Sequence, residues 1–376
     1  MSGISRRQIV RGALLGATAM GVRALAQGQQ SVPDVTRAGA PGSTIIPPAG
    51  LAVVKPRLTG IHRVIVDTDP GNDDALAILM ALSMPALRLE AITVCPGNMG
   101  LDGVDQQVRN ALFVVDLAGA SGKVPVYRGM TRPILGRPYP VASFIHGKYG
   151  LGDVEVTAVR QKVEPEHGVD AMRRIVNGSP GEVTILALGG LTNVAMAILR
   201  DEAFVRNVRG LIFVGGKYQG PGFEPGYNVL VDPEAADVVV RSGVSLLMMG
   251  DAFRRDSVLV AEDYDHATGL HTRRSEFFIQ SNALRRTYEM KYRGATGSVN
   301  GDPMAVALAA DGTLGERYMS VSMKVELEGA YTRGLLVYGE DIYSGHPVPP
   351  GNVDICVAAD HERFRQMVFR TLQMGS

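Results

Sequence analysis

Four aspartates lie within eight consecutive residues, at Asp67, Asp69, Asp73 and Asp74. The first two follow an apolar run and are two residues apart, so an extended chain places them on one face. Asp73 and Asp74 open the helix that follows, where the helix dipole favours negative charge. Carboxylates this close repel one another and raise one another's pKa values. A divalent cation that prefers oxygen ligands, Ca²⁺ or Mg²⁺, would remove this conflict. The alternative is an acidic turn in which one aspartate caps the helix.

The elements around these aspartates predict a parallel sheet. An apolar strand at 64–67 leads through a turn at Pro70-Gly71 into a helix at 73–84. Strands that are apolar throughout then alternate with helices, which is typical of an α/β fold with a mainly parallel, Rossmann-like open sheet covered by helices on both faces. In such sheets ligands bind beyond the carboxyl ends of the strands. The later predicted elements are strands at 87–94, 125–127, 183–188, 211–214 and 245–249, helices at 104–117, 169–176 and 233–241, and a mixed helical stretch at 262–300.

The composition is that of a soluble globular protein. Of the 376 residues, 45% are hydrophobic and 20% charged, and the formal net charge is +0, which excludes the disordered and fibrous classes. A balanced charge without long runs of one sign does not suggest a nucleic acid or an anionic membrane as partner. The two cysteines, Cys95 and Cys356, are not spaced like metal or redox pairs.

The sequence predicts three regions. Residues 1–26 have the features of a twin-arginine signal peptide: the Arg6-Arg7 pair, a short apolar stretch, and small residues before Gln27. Residues 27–60 form a flexible segment rich in Pro and Gly, and residues 61–376 a single α/β domain. We therefore expect export of the folded protein to the periplasm or another extracytoplasmic space, without a stable membrane anchor, because the apolar stretch is too short to span a bilayer.

A fifth aspartate can reach the same edge of the sheet. Asp302 precedes Pro303 at the start of a helix of small apolar residues. Taken alone, Asp-Pro is a common helix start. At the carboxyl edge of the sheet, however, Asp302 could bind the same metal as the first aspartates.

The run from Asp67 to Ala75, read as Asp-Thr-Asp-Pro-Gly-Asn-Asp-Asp-Ala, resembles the N-terminal motif of the inosine–uridine-preferring nucleoside hydrolases. These are Ca²⁺ enzymes that cleave the N-glycosidic bond of ribonucleosides. The resemblance extends from about Arg63 to near Leu372. It implies the nucleoside hydrolase fold, a nucleoside substrate and Ca²⁺ as cofactor. We also expect a homo-oligomer, either a dimer or a tetramer.

The resemblance also implies a role for each matching residue. The metal ligands would be Asp69, Asp74, Asp302 and the backbone carbonyl of Leu188, and Asp69 would also be the general base that deprotonates a metal-bound water. The other implied roles are contacts to the ribose from Asp73, Asn98, Asn228 and Asp302, contact to the base from His146, and orientation of the cluster by Asp67.

The sequence departs from the family pattern at the leaving-group end. Gly301 stands where several members have a histidine that protonates the base, and Gly226 where many have a glutamate two residues before the ribose-binding asparagine. These two positions keep a second hypothesis open, an exported relative that binds ribosides or other sugars with weak or no turnover. A phosphatase of the haloacid-dehalogenase type also begins with Asp-x-Asp after a strand. It requires Thr or Val two places beyond the second aspartate, where this chain has Gly71.

Overall fold

An eight-stranded sheet forms the centre of the protein, and seven of its strands are parallel. The computed structural model describes residues 62–100, 103–156, 159–216, 225–250, 252–338 and 351–375. The predicted signal peptide and the Pro/Gly-rich segment lie outside the described residues and remain predictions. No helix among the described residues has both the length and the apolar character needed to cross a membrane.

The strands are numbered in chain order. They are β1 (His62–Thr68), β2 (Leu87–Val94), β3 (Val126–Arg128), β4 (Val183–Ala187), β5 (Gly210–Val214), β6 (Leu246–Met249), β7 (Val258–Leu259), β8 (Ser298–Val299), β9 (Gly315–Val321), β10 (Met323–Val325), β11 (Leu336–Tyr338) and β12 (Val353–Ala359).

The helices are numbered in the same way. They are α1 (Asn72–Ser83), α2 (Val104–Leu117), α3 (Ser143–His146), α4 (Gly168–Asn177), α5 (Thr192–Arg200), α6 (Glu202–Asn207), α7 (Tyr227–Val231), α8 (Pro233–Val240), α9 (Ala252–Asp256), α10 (Ala261–Gly269), α11 (Arg273–Arg293), α12 (Gly301–Ala310) and α13 (His361–Gln373).

The order of the strands fixes where a ligand can bind. Across the sheet they follow the order β3-β2-β1-β4-β5-β6-β12-β9. The chain moves outward from β1 to β3 and then returns with β4 on the other side of β1. The carboxyl ends of β1 and β4 therefore flank the topological switch point, where open α/β sheets leave a crevice for ligands.

Helices cover both faces of the sheet, as the all-apolar strands predict. In β1, Val64 and Val66 point to one face, and Ile65 points to the other; all three are fully buried. The first face packs against α1, α2, α12 and α13, and the second against α4, α5 and α8. The predicted fold class is confirmed.

The main difference from the predicted elements lies near the C-terminus. Here β12 continues the parallel sheet beside β6, and β9 adds an antiparallel edge strand. The stretch predicted as mixed helix at 262–300 resolves into α10, the long α11 and the short strand β8. Thr272 caps α11 by accepting a hydrogen bond from the Ser275 backbone, and this Thr-Ser pair gives a clear helix start.

One asparagine ties together the strand ends that border the switch point. The Nδ2 atom of Asn193 donates to Asp67 Oδ1 at 2.8 Å and to the Val94 carbonyl at 3.2 Å. Its Oδ1 accepts from the Met130 N–H at 2.8 Å. Asn193, fully buried at the start of α5, thus joins the ends of β1 and β2 to the loop after β3.

We therefore expect Asn193→Ala to lower the free energy of unfolding by about 1–3 kcal/mol, because the Met130 N–H loses its acceptor and the Asp67 carboxylate and Val94 carbonyl each lose one of two hydrogen bonds. Urea denaturation followed by circular dichroism measures the change. Glu202→Ala is the control, since the Glu202 side chain is 95% exposed. Equal stability of the two variants would contradict a stabilising role for the Asn193 hydrogen bonds.

Candidate active site

A cavity of about 430 Å³ opens at the carboxyl edge of the sheet. We call it the site cavity. Eight of the nine site residues predicted from the sequence line it; only Asp67 does not. The eight are Asp69, Asp73, Asp74, Asn98, His146, Leu188, Asn228 and Asp302.

The turn after β1 fixes the position of Asp69. Its Oδ2 accepts a hydrogen bond from the Asn98 backbone N–H at 2.7 Å. A Cβ atom at Gly97 would lie 1.7 Å from Oδ2, and one at Gly189 would lie 2.4 Å from Oδ1. Only glycine leaves room for the carboxylate at these two turns, which follow β2 and β4. The Asp69 side chain is therefore held between the ends of β2 and β4, the two strands that flank β1.

The start of α1 fixes the position of Asp74. Its Oδ2 accepts from the Gly71 backbone N–H at 2.8 Å, and its Oδ1 accepts from the Thr68 hydroxyl. Asn98 Nδ2 donates to the same Oδ2 at 3.3 Å and to the Asp69 carbonyl at 3.0 Å. Asn98 thus links the two aspartates, and its own Oδ1 is left as the acceptor available to a ligand.

Three buried carboxylates come close enough to share one cation. One carboxylate oxygen from each of Asp73, Asp74 and Asp302 lies within 4.8 Å of the other two. An all-oxygen, all-anionic donor set of this kind suits a hard divalent cation such as Ca²⁺ or Mg²⁺. The residues present therefore fit a divalent metal ion.

This group differs in part from the predicted ligand set of Asp69, Asp74, Asp302 and the Leu188 carbonyl. Asp69 lines the same cavity but lies outside the close group, and Asp73 takes its place there. The Leu188 carbonyl accepts a hydrogen bond from Asn228 Nδ2 at 2.5 Å. Asn228 Nδ2 also donates to the Val214 carbonyl at 3.1 Å, so only its Oδ1 remains for a ligand.

Burial and mutual repulsion perturb these carboxyl groups. Burial, followed by the charge of Asp73, raises the pKa of Asp74 to about 7. Burial and the charge of Asp74 raise the pKa of Asp69 well above its usual range. Burial and the charges of Asp73 and Asp74 do the same to the pKa of Asp302. Without a cation, the site therefore holds its protons more tightly than free aspartates do.

Asp73 is the exception, because a buried arginine neutralises it. Burial alone would raise the pKa of Asp73, but the Arg285 guanidinium, with a smaller effect of His146, brings it below the usual value. Arg285 Nη1 lies 2.8 Å from Asp73 Oδ1, and both side chains are almost fully buried. Arg285 also donates to the Val299 carbonyl through Nε at 3.0 Å and Nη2 at 2.7 Å. It thereby connects the start of α1 to the segment that leads to Asp302.

His146 closes the cavity from α3 as a neutral imidazole. Burial lowers its pKa to about 4, although the nearby Asp73 carboxylate acts in the opposite direction. Its Nδ1 faces the start of α1, 3.4 Å from the Asn72 backbone nitrogen and 3.9 Å from Asp73 Oδ1. Because Nδ1 accepts from an N–H, the proton of the neutral ring resides on Nε2.

Asp67 lies beneath the cavity. Its Oδ1 accepts from Thr93 Oγ1 at 2.5 Å and from Asn193 Nδ2 at 2.8 Å. It is fully buried, and burial raises its pKa to about 7 despite these two hydrogen bonds. The predicted orienting role therefore corresponds to a link between β1, β2 and α5.

Sequence reasoning missed the charged side chains that α11 contributes to the cavity. Arg285, Glu289 and Arg293 all line it, and they are spaced by four residues. This spacing of charges along one helix face was the available signal. Tyr227 and Tyr288 also line the cavity and offer aromatic faces, whereas Tyr149 and Tyr292 do not line it.

The two glycines that depart from the family pattern, Gly226 and Gly301, differ in their structural surroundings. A Cβ atom at Gly226 would lie 2.1 Å from the Gly215 carbonyl oxygen, so this backbone conformation leaves no room for a side chain there. Gly301 is buried at the start of α12 and lines the cavity beside Asp302. It supplies no side-chain proton donor.

The fold and the cavity together define a class: an α/β protein with a carboxylate-rich site for a divalent cation at its switch point. The sequence model of the inosine-uridine preferring nucleoside hydrolase family matches residues 64–366. The chain belongs to this family, and the predicted enzyme class, a hydrolase of N-ribosyl bonds, is confirmed.

Relatives of known name support the assignment over most of the chain. The inosine-uridine preferring nucleoside hydrolase of Leishmania major is 33% identical over 320 residues, which cover 83% of this chain and 98% of that protein. Uridine nucleosidase 1 of Arabidopsis thaliana is 35% identical over 249 residues, 65% of this chain and 72% of that protein.

Solved structures show the same fold. A purine-preferring ribonucleoside hydrolase from Gardnerella vaginalis superposes with a TM-score of 0.74 at 30% identity, covering 83% of this chain and 98% of that one. The plant nucleoside hydrolase PpNRh1 gives a TM-score of 0.76 at 29% identity, covering 83% of this chain and 99% of that one.

We predict that the metal-free protein becomes less stable as the pH rises. The pKa of Asp74 is about 7 in the folded protein against an ordinary value of 3.8, so the folded state binds this proton more tightly. The resulting stabilisation is complete below about pH 4 and is lost as the pH rises through about 7. A divalent cation replaces the lost protons, so the rise in Tm that it causes should be larger at about pH 8 than at about pH 5.5.

Scanning calorimetry of metal-free and Ca²⁺-loaded protein at both pH values measures the effect. Asp302→Asn, which removes one charge from the group, should reduce the gain in Tm at the higher pH. A gain in Tm that does not depend on pH would contradict the prediction.

Proposed function

We propose that the protein hydrolyses the N-glycosidic bond of ribonucleosides to free base and ribose, with Ca²⁺ as cofactor and Asp69 as general base. The observation that carries the proposal is the buried carboxylate group of Asp73, Asp74 and Asp302 in the same cavity as Asp69. The family relationship, together with the activities after which the relatives are named, supports the nucleoside as substrate.

The donor set supports Ca²⁺ as the cation. Asp69, Asp74, Asp302 and the Leu188 carbonyl offer only oxygen atoms, and Ca²⁺ accepts such ligands in flexible geometry and higher number than Mg²⁺. When bound, the cation supplies Lewis acidity that makes water a stronger nucleophile near neutral pH. The Leu188 carbonyl accepts from Asn228 Nδ2 with one lone pair, so its second lone pair would be available to the cation.

The side chains around Asp69 suit its role as the base. Burial and neighbouring carboxylates raise its pKa, which makes it a stronger proton acceptor near neutral pH than a free aspartate. Its rigid position between Gly97 and Gly189 keeps the carboxylate aimed at one place in the cavity. A fixed base of this kind avoids reorganisation during the reaction.

The same residues stabilise the sugar as the bond breaks. Glycosidic cleavage passes through an oxocarbenium-like transition state whose ring carries positive charge. We expect the Asp302 carboxylate to stabilise that charge, and Asp73, whose charge Arg285 offsets, to accept a hydrogen bond from a ribose hydroxyl. Asn98 and Asn228 present Oδ1 atoms to the hydroxyls of the ribose, since their Nδ2 atoms already donate to protein groups.

The departing base receives help from His146 in a neutral form. Its pKa of about 4 leaves almost no imidazolium at neutral pH, so it acts as a hydrogen-bond donor through Nε2–H. Gly301 adds no second donor. The leaving base is therefore only weakly activated. This observation favours the second candidate, a riboside-binding protein with little turnover.

The test is the release of ribose from a panel of purine and pyrimidine ribonucleosides, with Ca²⁺ and after chelation. We expect turnover only with the cation, and Asp69→Asn should lower kcat by about 10²–10⁴-fold because the general base is lost. Asp105→Asn is the control, since its side chain is 75% exposed and lies outside the cavity. Nucleoside binding without turnover would establish the second candidate instead.

We also propose that the chain is exported through the twin-arginine route to the periplasm or another extracytoplasmic space and forms a dimer or tetramer. The support for export is the Arg6-Arg7 motif with its apolar stretch. Replacing both arginines by lysine should leave the precursor in the cytoplasm, as fractionation and immunoblotting would show. Light scattering of the mature protein measures the oligomer, and a monomer would contradict that part.

A further inference from the structure

One face of α11 carries three charged side chains into the site cavity. Arg285, Glu289 and Arg293 follow one another at intervals of four residues and so lie along the same side of the helix. Arg285 is anchored to Asp73 and to the Val299 carbonyl. Arg293 Nη1 donates to Glu289 Oε1 at 3.1 Å.

The central member of this row has an unsatisfied atom. Glu289 is 1% exposed, and its Oε2 is buried without a hydrogen-bond partner. A buried carboxylate oxygen without a donor is energetically unfavourable. Glu289 lines the cavity, and a rotation of its carboxylate would turn Oε2 toward a ligand that supplies the missing donor.

The surroundings of Glu289 suit a flat heterocycle. Tyr288 and Phe144 both line the cavity, with ring centroids 4.9 Å apart. Glu289 lies four residues, about 6 Å along the helix axis, beyond Arg285. Since Arg285 contacts Asp73, a ribose held at the aspartates directs its base toward the aromatic rings and Glu289.

We infer that Glu289 selects nucleosides whose base has a ring N–H next to a carbonyl, as in uracil, hypoxanthine and guanine. Glu289 Oε2 accepts the ring N–H, and an adjacent guanidinium of the row donates to the carbonyl. The carboxylate and the guanidinium together are complementary to this pair of donor and acceptor. The inference rests on the proposed function for the position of the ribose.

Paired substrates that differ at the ring nitrogen test it. Uridine is compared with 3-methyluridine, and inosine with 1-methylinosine, by kcat/KM in the Ca²⁺-loaded enzyme. We expect the unmethylated member to be preferred by about 10- to 100-fold, the range for a hydrogen bond to a charged group. Glu289→Ala, which removes the acceptor and leaves space for a methyl group, should bring each ratio to within about threefold of unity.

Glu289→Gln keeps the size of the side chain and should lower each ratio by about 5- to 10-fold, because a neutral acceptor replaces a charged one. Glu276→Ala, an exposed position on the same helix, should leave the ratios unchanged. Ratios near unity in the native protein, or ratios that neither Glu289 variant alters, would overturn the inference.

A binding measurement separates this inference from the proposed function. Calorimetric titration with uracil and 3-methyluracil needs no turnover. A preference for uracil that Glu289→Ala abolishes, in a protein that hydrolyses no nucleoside, would leave the inference standing and reject the proposed function. Hydrolysis with a preference that is independent of Glu289 would do the opposite.

Discussion

Repulsion between buried carboxylates is the constraint around which this protein is built. One cavity is lined by four aspartates, Asp69, Asp73, Asp74 and Asp302, whose side chains have very little exposure to solvent. Removing several like charges from water is costly, and proximity adds to that cost. Protons, the Arg285 guanidinium and a divalent cation are the ways in which the charge can be offset. Bound protons and Arg285 offset the charge within the folded protein itself. A bound cation would offset it and would also give the site its catalytic chemistry.

The scaffold holds the carboxylates in place despite their repulsion. Gly97 and Gly189 give room to Asp69 between two strand ends, and Thr68 and Gly71 hold Asp74 at the start of α1. Arg285 reaches from α11 to Asp73 and to the segment before Asp302. Each aspartate is thus fixed by groups from a different element, so the site depends on the packing of the whole sheet edge.

Much of this arrangement could be predicted from the sequence because it is local. The alternating pattern gives the parallel sheet, and the strand-turn-helix at 64–80 places four aspartates together without any knowledge of distant residues. The placement of Asp302 and Asn228 followed from the family resemblance, since nothing in their own surroundings indicates a cavity. The strands β9 and β12 were not among the predicted elements, because their pairing with each other and with β6 depends on residues distant in the sequence.

The leaving-group end could not be derived in the same way. Arg285 and Glu289 occur in a helix rich in charged residues, and only the packing of α11 against α1 and α3 shows that they face the cavity. Gly226 reads as a missing glutamate in the sequence, but in the fold it is required by the close approach of the Gly215 backbone. The leaving-group end of the cavity is therefore formed by contacts between distant elements, whereas three of the four cavity aspartates come from one short motif.

Calorimetric titration of the metal-free protein with Ca²⁺, in two buffers of different ionisation enthalpy, tests the central claim most directly. Because the pKa values of Asp69, Asp74 and Asp302 are raised in the absence of metal, binding should displace protons. The account predicts one Ca²⁺ per chain, with a proton release that is substantial at about pH 6 and falls toward zero at higher pH. Failure to bind Ca²⁺ in a saturable manner, or binding without proton release at the lower pH, would contradict it.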